Sequence, residues 1–191
     1  FKADFVRDSH DGTVSLKVPT LTYGGTKLSG DVTVTVTVDG EKKLESTYAP
    51  GANATLGVSL DEGIHNFTAT ATNSAGNGPR IGLSRYVGVD APAAVGDLRL
   101  SKNTAGAAVL TWTAPTTGRN DGYVDPAAVT YDVTRMPDMH PVAINIKATT
   151  VTDPVNAPTD NYWYTVTPKC GTREGIAAAT EPTVLGNGTT L

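Results

Sequence analysis

Three segments of the second half of the chain, Val109-Leu-Thr-Trp-Thr-Ala-Pro115, Val129-Thr-Tyr-Asp-Val-Thr-Arg135 and Tyr162-Trp-Tyr-Thr-Val-Thr-Pro168, alternate apolar with polar residues. A period of two buries one face of a strand and wets the other, so each is read as a strand of an antiparallel sheet. The first half shows the same pattern in Asp31-Val-Thr-Val-Thr-Val-Thr-Val-Asp39, valines to one side and threonines to the other. Asp39-Gly40 follows, then the returning run Glu41-Lys-Lys-Leu-Glu-Ser-Thr47. Both residues of Asp-Gly tolerate positive φ, so the spacing predicts a hairpin closed by a type I′ turn.

Further strands are expected over residues 13–18, 54–60, 64–73 and 81–87. After a break the series resumes over residues 97–101, 107–113, 129–135, 142–147, 149–153, 162–168 and 176–182. No segment carries a helical repeat. Short strands at regular spacing with turn residues between them predict an all-β chain of two tandem immunoglobulin-like antiparallel sandwiches. The joint falls in Val89-Asp-Ala-Pro-Ala-Ala-Val-Gly96, where Pro92 lacks a backbone donor and suits a linker or a strand start. The expected division is residues 1–90, residues 91–185, and a polar linker or tail over residues 186–191.

Composition narrows the picture further. A length of 191 residues suits two small domains, and Gly 20 with Pro 12 supplies many turns. The net charge of −4 comes with no basic run, which argues against a nucleic-acid partner. No stretch approaches the ~18 apolar residues of a membrane span, and the chain starting at Phe1 reads as a processed product or a piece of something longer. Cys170 is alone, so no intrachain disulfide is available, and alternation turns it inward as a small buried hydrophobe.

Chemistry-bearing patterns are sparse. His10, His65 and His140 lie far apart and do not pair at metal-ligand spacing. His10 and His140 read as solvent-facing loop residues, and His65 as a half-buried residue of a strand corner. There is no nucleophile elbow and no phosphate-binding glycine pattern, so catalytic residues and cofactors are both expected to be none. Asp121 and Asp125, with Asn120 in one Gly- and Pro-containing loop, are weak calcium candidates, since calcium gathers six to eight oxygens; Asn-Asp-Gly is equally an ordinary turn. For ligand binding, alternation puts Trp163 on the face opposite Tyr162 and Tyr164, and Tyr123 is the other aromatic candidate. The core is assigned to Trp112, Tyr131, Tyr162 and Tyr164 in the second half. In the first it is assigned to Val32, Val34, Val36, Phe67 and Ala69.

Taken together, Val95-Gly-Asp-Leu98, Leu110-Thr-Trp-Thr-Ala-Pro115, Tyr131-Asp-Val133 and Tyr162-Trp-Tyr-Thr-Val166 resemble a fibronectin type III module. The resemblance implies that Trp112 packs at the centre of the sandwich and that Tyr162 forms the corner hydrogen bond. The first half, through Leu60-Asp-Glu-Gly-Ile-His-Asn-Phe-Thr-Ala-Thr-Ala-Thr-Asn-Ser-Ala-Gly76, resembles bacterial immunoglobulin-like repeats, with His65 where a corner tyrosine would stand and Leu16 nearest to the missing tryptophan. The loop Asn120-Asp-Gly-Tyr-Val-Asp-Pro126 looks like modules of secreted Bacteroidetes surface proteins. That likeness implies a non-catalytic adhesion or spacer module on a bacterial cell surface, contacting protein or polysaccharide or positioning flanking domains. The alternative it leaves open is an accessory glycan-binding region of a secreted glycoside hydrolase or protease. The sequons at Asn53, Asn66 and Asn187 would count only in a eukaryotic secretory setting.

Overall fold

The computed structural model describes residues 3–5 and 10–188. Its regular structure is β throughout, apart from a short 3-10 turn at Pro126–Ala128. The chain divides into two compact units, Phe1–Val89 and Asp90–Leu191.

The first unit is built from β1 (Ala3–Phe5), β2 (Val14–Lys17), β3 (Val32–Val38), β4 (Glu41–Tyr48), β5 (Asn53–Leu56), β6 (Gly63–Asn73) and β7 (Ile81–Val87). One sheet has the order β1-β2-β5; the other runs β4-β3-β6, with β7 on the far side of β6. All of these pairings are antiparallel. Strand β3 shows why the sheets pack face to face. Val32, Val34, Val36 and Val38 are each at most 2% exposed, whereas the intervening threonines are only half-buried. These valines meet Val14 and Leu16 of β2, Ala54 and Leu56 of β5, and Phe67 and Ala69 of β6 in one core. The hairpin closes through Asp39 (φ 51) and Gly40 (φ 88), with Val38 paired to Glu41. Two successive positive φ values match the right-handed twist of the strands they join.

The second unit repeats this plan with β8 (Gly96–Lys102), β9 (Ala108–Thr113), β10 (Val129–Met136), β11 (His140–Ile146), β12 (Thr150–Asp153), β13 (Asp160–Cys170), β14 (Ala178–Ala179) and β15 (Thr183–Leu185). Its sheets run β12-β9-β8 and β11-β10-β13, with β14 and β15 both on β13. Trp112 of β9 meets Tyr131 of β10 edge-on across the two sheets, ring centroids 5.3 Å apart. Leu110, Val133, Tyr164 and Val166 complete the centre of this core, and Cys170 is buried at its margin.

Some expectations are corrected. The strand expected over residues 54–60 stops at Leu56, because β2 offers partners only as far as Val14. Leu60 still packs on the core as a partly buried loop residue. The strand expected over residues 176–182 is two short pieces instead. Pro182 has no amide to donate to the ladder, and pairing resumes only at Thr183. The strand expected from residue 142 already begins at His140, so that histidine opens an edge strand, though it remains exposed. Asp90, read from the sequence as the last residue of the first half, is buried in the second unit. Of the expected tail, Asn187 and Gly188 donate to the Ala157 carbonyl, and residues 189–191 lie outside the described residues.

Candidate functional site

The titratable residues fall into separate clusters, each with a local physical logic. His65 stands in the third position of β6, as Tyr162 does in β13. The Tyr162 hydroxyl donates to the Pro158 carbonyl at 2.8 Å, and the His65 Nε2 lies 2.8 Å from the Asp61 carbonyl, in each case four residues upstream. The two residues thus make the same corner contact. His65 makes a second one, from Nδ1 to the Asp39 carboxylate at 2.6 Å. Both partners of the ring are acceptors, so both nitrogens must donate, which only the imidazolium can do. The bond to Asp39 accordingly raises the His65 pKa above the ordinary histidine value, with the Asp61 carbonyl adding to it and burial opposing it. Asp39 also accepts from the Asn66 amide, and this bond, with that to His65, holds its carboxyl below the usual range.

The Asn120–Asp125 loop is organised from within the protein. The Asp90 carboxylate, 1% exposed, accepts from the Asn120 amide (2.7 Å), the Asn120 side chain (2.9 Å) and the Gly122 amide (3.2 Å). Gly118 lies so close that a Cβ there would stand 2.2 Å from an Asp90 oxygen, so only glycine lets the loop close over the carboxylate. Asp125 caps the 3-10 turn by accepting from Ala127, and Asp121 adopts a positive φ of 58 at the turn itself. Among the described residues, Asp121 and Asp125 are not joined by a third His, Cys, Asp or Glu in a group able to hold a metal. Asp90 went unnoticed in the sequence because its partners lie thirty residues on.

A third cluster centres on Arg135, which is 4% exposed. It donates to Asp138 through Nε and Nη2 (2.7 Å at the closest) and to Asp153 through Nη1 at 2.8 Å. The bonds to Asp138 do most to hold its pKa above the ordinary arginine value. Asp153 also accepts from the Tyr164 hydroxyl at 2.9 Å and from the Val155 amide. Burial first, and then that carboxylate, push the Tyr164 pKa up. The guanidinium lies 5.2 Å from the centre of the Tyr162 ring, within cation–π range. Alternation from Val129 through Tyr131 and Val133 already turns Arg135 inward; that was the available signal for this cluster.

The two aromatic candidates do not meet. Trp163 pairs with Met136 at one end of β10, and Tyr123 belongs to the connection that enters β10 at the other end, where Val129 pairs with Cys170. Seven residue steps of strand, about 23 Å, separate those ends. Trp163 is half-buried on the face opposite Tyr162 and Tyr164. Tyr123 is also half-buried, and its carbonyl accepts from the Asp90 amide.

An unanticipated cleft of ≈ 570 Å³ opens in the first unit, between the β2–β3 connection and the β6–β7 connection. Val32 and Ala71 of the core and Leu28 lie on its inner side. One wall is a small folded loop held by the Thr22 amide to the Thr26 carbonyl (2.7 Å) and the Leu28 amide to the Thr20 carbonyl (2.9 Å). Its tip carries Leu21, 52% exposed, and Tyr23, 94% exposed. The other wall is fixed by the Gly78 amide on the Ala71 carbonyl and by the Thr72 hydroxyl on the Asn77 side-chain oxygen. An aromatic beside Gly24-Gly25 is the sequence signal for this wall.

No protein-family model matches the chain, and no curated protein matches it in sequence. Solved structures with a similar course include the FN1–FN3 domains of chicken CNTN1, with a TM-score of 0.42 and 14% identity, covering 96% of this chain. This chain spans 63% of the length of that structure. A two fibronectin type III domain segment from chicken tenascin gives a TM-score of 0.36 at 16% identity, covering 90% of this chain and 93% of that one.

Proposed function

We propose that the chain is a non-catalytic module pair of a secreted or cell-surface bacterial protein, contacting protein or glycan and positioning neighbouring domains. The observation that supports this reading is how the ionisable clusters are spent. His65–Asp39 ties a strand corner to a hairpin, Asp90 closes a loop, and Arg135–Asp153–Tyr164 is buried in a core. A general base or nucleophile needs a positioned partner and bonding capacity left for substrate. Arg135 and Asp153 line a small cleft with His140, but their hydrogen bonds are made to Asp138, Tyr164, the Val155 amide and one another. The cleft beside Tyr23 favours a second reading of the same class, an accessory glycan-binding region of a secreted glycoside hydrolase or protease.

The test is to present the two-unit chain with immobilised polysaccharides and extracellular proteins in biolayer interferometry. Chromogenic glycosides, esters and peptides are assayed in parallel. Binding without turnover is the expected result. Turnover above the buffer rate that survives repurification would replace a module with an enzyme.

A further inference from the structure

The cleft of the first unit has a chemistry of its own. Among the described residues lining it, none carries a carboxylate, an ammonium, a guanidinium or an imidazole, and the Tyr23 phenol is the only ionisable group. Its polar groups are hydroxyls, amides and glycine backbone, from Thr22, Gly24, Thr72, Asn73 and Asn77. The Asn73 side-chain oxygen accepts from the Ala75 amide, and that of Asn77 accepts from Thr72. Both oxygens are engaged inside the wall, which leaves the donating capacity of the two amide nitrogens for other partners. Across from them the Tyr23 ring offers a face that is almost wholly exposed, on a loop whose backbone bonds hold it in place.

From this we propose that the cleft is a binding site for an uncharged oligosaccharide. A sugar ring has one apolar face of C–H groups, which stacks on an aromatic ring, and a rim of hydroxyls, which accept from amides and donate to carbonyls. A charged glycan or an acidic peptide entering this cleft would give up hydration and meet no charged group among the described lining residues. A peptide bound by strand addition would instead need a free strand edge with pockets for alternate side chains. The volume is within the range of sites that enclose small ligands. In the second unit the matching connection, between β9 and β10, is drawn down onto Asp90, so this feature belongs to the first unit's sequence and not to the fold as such. The inference rests on the binding-module reading and assigns the ligand class and the unit that carries it.

The test is an array of neutral hexose- and N-acetylhexosamine-based oligosaccharides, with sialylated and sulfated members as charged controls. Hits are then titrated calorimetrically with the native chain, Tyr23→Ala and Trp163→Ala. Tyr23 is exposed, so its truncation leaves the fold intact, and circular dichroism verifies this. The expected result is a neutral glycan whose affinity falls about tenfold or more in Tyr23→Ala, is unchanged in Trp163→Ala, and barely varies between ~0.05 and ~0.5 M salt. Glycan binding lost in Trp163→Ala but kept in Tyr23→Ala would overturn the cleft and leave the module reading standing. Tyr23-dependent binding only to proteins or charged glycans would overturn the ligand class. Binding to none of the array, while extracellular proteins still bind independently of Tyr23, would overturn the site; failure with both glycans and proteins would overturn the binding reading as well.

Discussion

The two units set the same strands in the same order and fill them differently. In the first, Val34, Val36 and Val38 pair in register with Ala71, Ala69 and Phe67; in the second, Tyr131, Val133 and Arg135 pair with Pro168, Val166 and Tyr164. Where one core is closed by a valine, the other is closed by a buried arginine held by two aspartates, one of which also accepts from a tyrosine hydroxyl. At the corner the substitution runs the other way, with a tyrosine in the second unit and in the first a histidine whose partners favour its charged form. The difference teaches that the sandwich fixes the places where a side chain must point inward or donate a bond, and leaves open the chemistry that fills them. Where aliphatic side chains fill the core, burial supplies the stability without regard to pH. Where polar groups fill it, every one must be satisfied, and the specificity gained is offset by desolvation.

The comparison can be broken most forcefully at Trp112. Both tryptophans of the chain lie in the second unit, so indole fluorescence follows that unit's unfolding and far-ultraviolet circular dichroism follows both. Trp112→Ala should cost ~3–5 kcal/mol, as for a large buried aromatic, and the fluorescence transition should shift accordingly in urea. A loss below about 1 kcal/mol would remove Trp112 from the centre of the core.

Asp153→Asn comes next. It leaves the buried Arg135 with Asp138 alone and weakens the acceptor of the Tyr164 hydroxyl, at an expected cost of about 2–3 kcal/mol in the same experiment. A shift no larger than that of a surface substitution would mean that the carboxylate contributes nothing net.

The smallest effects sharpen the contrast between the corners. Tyr162→Phe deletes one hydrogen bond and should cost about 1 kcal/mol at any pH between 5 and 9. The His65 corner should depend on pH. Its pKa is raised on folding, so its contribution is complete below the unfolded histidine value of about 6.5 and is lost as pH rises through the folded pKa. Asp39 acts in the opposite sense in acid: its contribution is present above the ordinary aspartate pKa and disappears as pH falls through its lowered folded value. Denaturation at pH 6 and pH 8 followed by circular dichroism, with the second unit's transition identified by its fluorescence, should therefore show a decrease in the first unit's stability that His65→Tyr abolishes. An identical decrease in His65→Tyr would place the titration elsewhere.

Much of this architecture could be read from the residues, and the reason is local. Alternation with a period of two is visible within a single segment, and Asp39-Gly40 states its own turn, so β3, β4, β10 and β13 were recoverable almost to their ends. The strand expected over residues 176–182 failed because partner availability, and the amide missing at Pro182, decided where pairing stopped. The candidate binding residues were less legible. Trp163 was judged by which face it occupies, and face alone does not say what lies beside it. Tyr23, in a loop without periodicity, gave alternation nothing to act on.

By itself, then, the sequence determined an all-β chain, two sandwiches, most of the core and the inward turn of Tyr131, Tyr164 and the β3 valines, because burial of one strand face is dictated by neighbours two residues away. Only the tertiary structure decided which polar groups meet: His65 with Asp39, Asp90 with Asn120, Arg135 with Asp153, and the Tyr23 loop with the wall around Asn77. Those meetings join residues far apart in the chain, and their geometry is set by which strands become neighbours and how the connections between them close, which the pattern within a single segment does not encode.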